Sequence, residues 1–134
     1  MYHPQLLVYE PDRRLAALLQ PLADKNRWLL REPRQPSAWL RLFRRGGPGV
    51  LVLRTGRASM EYELDTLEQL TWLYPDVATI LVGDSDQTFL VGLAWDVGAS
   101  YVLRPPQTRE LLPEIVASLM RRYQPELPAT GGEA

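Results

Sequence analysis

The chain has 134 residues, 46% of them apolar and 23% charged, with a formal net charge of −1 and no cysteine. That size and balance suit one domain with a core of its own. They exclude disulfides, thiol catalysis and thiolate metal sites, and they give no global charge reason to expect nucleic acid or an anionic membrane as partner.

Leu6–Tyr9 is a short apolar run that ends in Glu10-Pro11-Asp12 and reads as a first buried strand. Asp12 is placed to cap a helix over Arg13–Asn26, with Leu15, Leu18, Leu19 and Leu22 on one face. Pro21 should kink that helix or end it early. Arg27–Arg31 reads as a second strand, followed by a loop marked by Pro33 and Pro36. Ser37 is expected to cap a helix over Ala38–Arg45. Its Trp39, Leu40 and Phe43 are apolar, and Arg41, Arg44 and Arg45 lie on another side.

Val50–Leu53 is bounded by Gly49 and Gly56 and is apolar without alternation, the pattern of a central strand buried on both faces. It runs into Arg54. Residues 55–60 read as a polar loop. Glu61–Tyr74 reads as a helix with Leu64, Leu67, Leu70 and Leu73 in a stripe and Pro75 as its stop. A fourth strand, Asp76–Val82, closes at Gly83-Asp84-Ser85-Asp86. A helix over about 87–97 should turn Phe89, Leu90, Leu93 and Ala94 inward and end at Gly98 in a left-handed cap. The last strand is Ser100–Leu103. After Arg104-Pro105-Pro106, Thr108 caps a final helix to about Tyr123, with Leu111, Leu112, Ile115, Val116 and Leu119 buried and Pro113 near its start. Residues 124–134 are too rich in Pro and Gly to build a core and read as a flexible tail or linker stump.

Five strands alternating with five helices, joined by connections long enough for right-handed crossovers, predict a parallel sheet covered on both faces. No leader is visible, and no run approaches the ~20 apolar residues of a membrane helix, so the expected location is the cytoplasm. The charges are unevenly placed. Eleven of the fifteen basic residues fall within residues 1–57, and acidic residues dominate beyond. That split suits protein partners or head-to-tail association. The plainer reading is a set of scattered solvated charges.

The segments Leu6–Asp12, Pro75–Val82 and Leu93-Ala-Trp-Asp-Val-Gly-Ala-Ser-Tyr-Val-Leu-Arg-Pro105 resemble, in order and spacing, the receiver domain of bacterial two-component response regulators. The resemblance covers about residues 5–123. It implies a flavodoxin-like three-layer sandwich with strand order 2-1-3-4-5, one receiver-like domain over 1–123, and a role in signal transduction or transcriptional regulation. In typical members an aspartate at the end of the third strand accepts a phosphoryl group, and two acidic residues after the first strand hold Mg²⁺. A hydroxyl after the fourth strand and a lysine after the fifth read the phosphoryl oxygens.

Carried over residue by residue, the resemblance puts Arg54 at the phosphoacceptor position. Glu10 and Pro11 stand at the acidic pair, with Asp12 adjacent. Gly83 stands at the hydroxyl position, followed by Asp84. Arg104 replaces the lysine, Pro105 keeps the proline after it, and Tyr101 matches the switch aromatic. A protonated guanidinium is no nucleophile, and a fixed cation opposes Mg²⁺. The resemblance therefore implies a pseudo-receiver: no enzyme, no cofactor and no metal, acting by phosphorylation-independent contact with a protein partner of unknown identity. Direct contact with nucleic acid or membrane is not expected.

Arg54 is open to three readings: a built-in cation bridging Glu10, Asp12 or Asp84, a solvated residue of a decayed site, or, with Arg104, an anion site. A homodimer through the fourth predicted helix, the fifth strand and the fifth helix is the family's usual surface; Trp95 and Tyr101 are its anchors here, although burial of Trp95 is an equal alternative. The competing function is a flavodoxin-like domain binding a small anionic ligand or nucleotide at the strand ends. His3 reads as a surface residue, Asp84 and Asp86 as helix caps, and Trp39 and Phe43 as core rather than a nucleic-acid patch.

Overall fold

Strands buried on both faces need apolar side chains at consecutive positions, and the three middle strands of this sheet are built from such runs. The computed structural model describes residues 3–10, 13–54, 60–83, 92, 95–103 and 109–123. Its strands are β1 (Gln5–Tyr9), β2 (Leu29–Arg31), β3 (Gly49–Arg54), β4 (Ala78–Val82) and β5 (Tyr101–Leu103). All pairings are parallel, in the order β2-β1-β3-β4-β5. This is the flavodoxin-like order expected from the sequence. β3 lies at the centre, with Tyr9 level with Leu53 on one side and Val82 level with Arg54 on the other.

Alternate residues of β3 face opposite layers. Val50 and Val52 join Leu6, Val8, Leu15, Leu19, Ile80 and Val116 beneath α1 (Arg14–Asn26) and α4 (Leu112–Met120). Leu51 and Leu53 join Leu7, Trp39, Phe43, Leu67, Leu70 and Leu81 beneath α2 (Ser37–Gly46) and α3 (Met60–Leu73). Trp39 and Phe43 are thus core, as expected. 3₁₀ turns at Arg109–Leu111 and Arg121–Tyr123 flank α4. Tyr123 ties the end of that helix to the start of β4: its hydroxyl donates to the Asp76 carbonyl and accepts from the Ala78 N–H at 3.0 Å.

β1 and β3 approach so closely at Gly49 that a Cβ there would lie 2.0 Å from the Gln5 carbonyl oxygen. The buried Gln5 side chain donates to the carbonyls of Leu42 and Gly47, both at 2.9 Å, and so fastens the end of α2 to the base of the sheet.

Several local expectations are corrected. α1 runs through Pro21 to Asn26 instead of ending early, and Leu18 on its expected inner face is exposed while Ala16 and Ala23 are buried. Ser37 lies inside α2; Pro36 holds the cap position, with no side-chain capping bond. β2 is shorter than expected because Arg27, at φ 58°, closes α1 in the left-handed region. Leu73 and Leu111 are exposed, and Met120 is buried instead. Of the fourth predicted helix, Gly92, Trp95 and Asp96 are described and helical, and Gly98 has the expected positive φ of 98°. Its inward residues Phe89, Leu90, Leu93 and Ala94 lie outside the described residues, as does residues 124–134. The described helices therefore number four rather than five.

Candidate functional site at the C-terminal edge of the sheet

Parallel strands bring their C-terminal ends to one edge, and in open α/β sheets ligands collect there. Glu10 follows β1, Arg54 ends β3 and Gly83 follows β4. The register makes these three neighbours along the edge. The Gly83 N–H donates to the Leu103 carbonyl at 2.8 Å, which extends the β4–β5 pairing one step beyond the strands. Asp12, Asp84, Arg104 and Pro105 lie outside the described residues. Tyr101 is half-buried in β5. Trp95 is 50% exposed, which decides between the two expectations for it in favour of the surface.

Glu10 has a definite task. Its Oε1 accepts the backbone N–H of Leu15 at 2.6 Å and of Ala16 at 3.0 Å. These belong to the first turn of α1, whose N–H groups have no partner inside the helix. The chain reaches α1 through Arg13, which is left-handed at φ 59° and makes no side-chain cap bond. Arg13 instead forks onto Glu32 at the end of β2, with Nε and Nη2 both at 2.8 Å. Among the described residues, Glu10 is thus the side chain that accepts first-turn N–H groups of α1; the cap expected of Asp12 falls outside them. A carboxylate in this place also meets the positive end of the helix dipole.

Two residues that the sequence did not single out complete the edge. Tyr9 ends β1 and packs edge-on to Trp39, with ring centroids 5.1 Å apart and planes at 77°. Its hydroxyl is hydrogen-bonded to the carboxylate of Glu63, which is 1% exposed although it belongs to α3. Burial first, and then the charge and hydrogen bond of Glu63, push the Tyr9 hydroxyl up to about 12. A signal for Glu63 was present: it precedes Leu67 by four and Leu70 by seven, so it lies on the inner stripe of α3.

Among the described residues no three His, Cys, Asp or Glu side chains gather around a point where a metal ion would be held. Among them, too, no helix is long and apolar enough to cross a membrane. His3 lies half-buried at the chain's start, its Nδ1 3.2 Å from the Arg27 carbonyl oxygen.

The fold and this edge define a doubly wound, receiver-type α/β protein with its candidate site at the strand ends. No protein-family model and no curated protein matches the chain. Its structural neighbours include response-regulator receiver domains. A CheY-like receiver domain protein from Methanospirillum hungatei superposes with a TM-score of 0.70 at 15% identity, covering 90% of this chain and 97% of that one. An orphan response regulator of H. pylori gives 0.70 at 12%, covering 88% and 97%. An adenylate cyclase structure from Rhodopirellula baltica gives 0.71 at 12%, covering 90% of each. At such identities the likeness is one of fold, and the fold alone does not assign an activity.

Proposed function

We propose that this chain is a pseudo-receiver: a cytoplasmic signalling module spanning residues 1–123, with 124–134 as its tail, that works through protein contacts without taking up phosphate. The observation that carries this reading is Arg54 at the end of the central strand. A receiver would need a carboxylate there as nucleophile, and a guanidinium remains protonated and cannot replace it.

Two neighbours support the reading. Glu10 stands where a Mg²⁺ carboxylate would stand, yet its Oε1 already accepts two N–H groups of α1. Gly83 brings no hydroxyl to the end of β4. A magnesium site does not fit these residues: the ion wants several hard oxygens at short range and is opposed by a fixed cation beside them. In place of a metal, Arg54 neutralises the acidic side chains that follow the neighbouring strands and holds the edge in one conformation. Contact with a partner runs through the side of the molecule that carries Trp95 and Tyr101, where an exposed indole can serve as anchor.

The test is incubation of the full chain with acetyl phosphate and Mg²⁺, followed by intact mass, and with beryllofluoride and Mg²⁺, followed by tryptophan emission. The expected result is no added phosphate and no spectral change. Stoichiometric Mg²⁺-dependent phosphorylation overturns the reading.

A further inference from the structure

The unequal distribution of charge along the chain has no part in the strand edge described above. It reappears on the outer face of the α2–α3 layer. Arg41, Arg44 and Arg45 follow one side of α2 at i, i+3 and i+4, and all three are exposed. Glu61, Asp65 and Glu68 follow one side of α3 at i, i+4 and i+7, also exposed. Trp72 continues that row at i+11 and is 83% exposed; Leu73 beside it is 62% exposed. Between the helices runs an open groove of about 680 Å³, with Leu40, Leu73 and Tyr74 on its walls and the three arginines on its rim. Among the described residues no ion pair joins the basic row to the acidic one. An apolar patch rimmed by charge is the composition of a contact surface.

We propose that this face binds a second copy of the same chain about a two-fold axis. The α2 arginines of each copy meet the α3 carboxylates of the other, and Trp72 and Leu73 are enclosed between them. A two-fold contact must be complementary to itself. A face bearing one basic and one acidic row meets that condition, since both pairings form in the same docking. An anionic membrane, a nucleic acid or a uniformly acidic peptide would be attracted by α2 and repelled by the neighbouring α3. The net charge of −1 leaves little long-range repulsion between copies. The inference is independent of whether position 54 takes part in phosphoryl chemistry. It is centred on α2 and α3 and not on the surface around Trp95 and Tyr101, although Thr71, beside Trp72, donates to the Val97 carbonyl at 2.9 Å, so the Trp95 segment borders this face. At 1.5 Å per residue the two helices are about 15 and 21 Å long. A face of that extent belongs to the weak, reversible class, and a dissociation constant of about 10–100 µM is expected.

The test is sedimentation velocity of the full chain over a concentration series, with circular dichroism to verify the fold of every variant. Wild type is expected to pass from monomer to dimer, and added salt to weaken the association. One variant, R41E/R44E/R45E, carries two acidic rows; another, E61K/D65K/E68K, carries two basic rows. Each alone is expected to remain monomeric, and an equimolar mixture of the two is expected to dimerise. W72A, which leaves both rows intact, is expected to weaken the dimer about tenfold or more. The proposal is overturned by a wild type that stays monomeric up to about 1 mM, by a dimer insensitive to these changes, or by a mixture that fails to pair. Loss of the dimer on W95A alone overturns it as well, since the contact then lies on the other surface.

Discussion

The carboxylate of Glu10 accepts the backbone N–H of Leu15 at 2.6 Å, so a side chain at the candidate reactive edge also closes the first turn of α1. The Ala16 N–H shares the same oxygen at 3.0 Å. A carboxylate at the strand edge thus serves the helix start. Removing the carboxylate exposes two N–H groups in a partly buried place. Glu10→Ala should therefore lower unfolding stability by about 1–2 kcal/mol. Urea denaturation checks this; an unchanged midpoint would mean that the cap contributes nothing.

Arg54 and Gly83 make a joint prediction. Arg54→Asp supplies a carboxylate at the end of β3 but neither the hydroxyl at the end of β4 nor a free pair of metal-binding carboxylates. The variant is expected to show no efficient Mg²⁺-dependent labelling by acetyl phosphate, read by intact mass. Robust labelling of it would show that the remaining edge is a working pocket.

Tyr9 and Glu63 predict the alkaline behaviour. Burial raises the Tyr9 hydroxyl from 10.0 to about 12, with Glu63 adding to the effect. Its neutral form is thus the one the fold favours. The associated stability is fully present below pH 10 and is lost as pH rises from there through about 12, where the unfolded chain is already ionised. Tyr123 is shifted in the same direction, chiefly by burial, and adds to the slope. Denaturation midpoints should fall across that window, and Tyr9→Phe should flatten the fall. The same variant should cost about 1–3 kcal/mol at neutral pH, because it leaves the buried Glu63 without the hydroxyl.

Three glycines separate packing from propensity. Gly49→Ala would drive a methyl to within 2.0 Å of the Gln5 carbonyl in the backbone of β1, and should cost about 2 kcal/mol or more. Gly98→Ala meets Thr71 at 2.9 Å and must hold a φ of 98°, so it should cost about 1–3 kcal/mol. Gly92 is helical and exposed, and its Cβ would meet nothing within 4 Å. Gly92→Ala should therefore stabilise by about 0.5–1 kcal/mol. Thermal melts of the three variants test the order.

The sequence by itself determined the architecture. Val50–Leu53 is apolar at every position, the pattern of a doubly covered central strand, and five strand-like runs alternating with helical stripes predict a parallel sheet, in which β1, β3 and β4 are the buried strands and β2 is largely exposed. It also determined that a guanidinium ends the third strand. Periodicity says which residues of an element share a face, and for Leu67, Leu70 and Val116 that face is the core.

Tertiary structure decided the rest, because burial and hydrogen bonding depend on what another element brings to the same place. Leu73 follows Leu64, Leu67 and Leu70 at the same spacing of three, but at 3.6 residues per turn that spacing drifts round the helix, so Leu73 leaves the buried face and stays exposed beside Trp72. Glu63 lies on the inner side of the same helix and is buried beside the hydroxyl of Tyr9, more than fifty residues earlier. The chain enters α1 through Arg13 in the left-handed region, and the first-turn N–H groups of Leu15 and Ala16 meet the side chain of Glu10. That contact spans only five and six residues, but it depends on a positive φ at a non-glycine residue, which the order of residues does not announce.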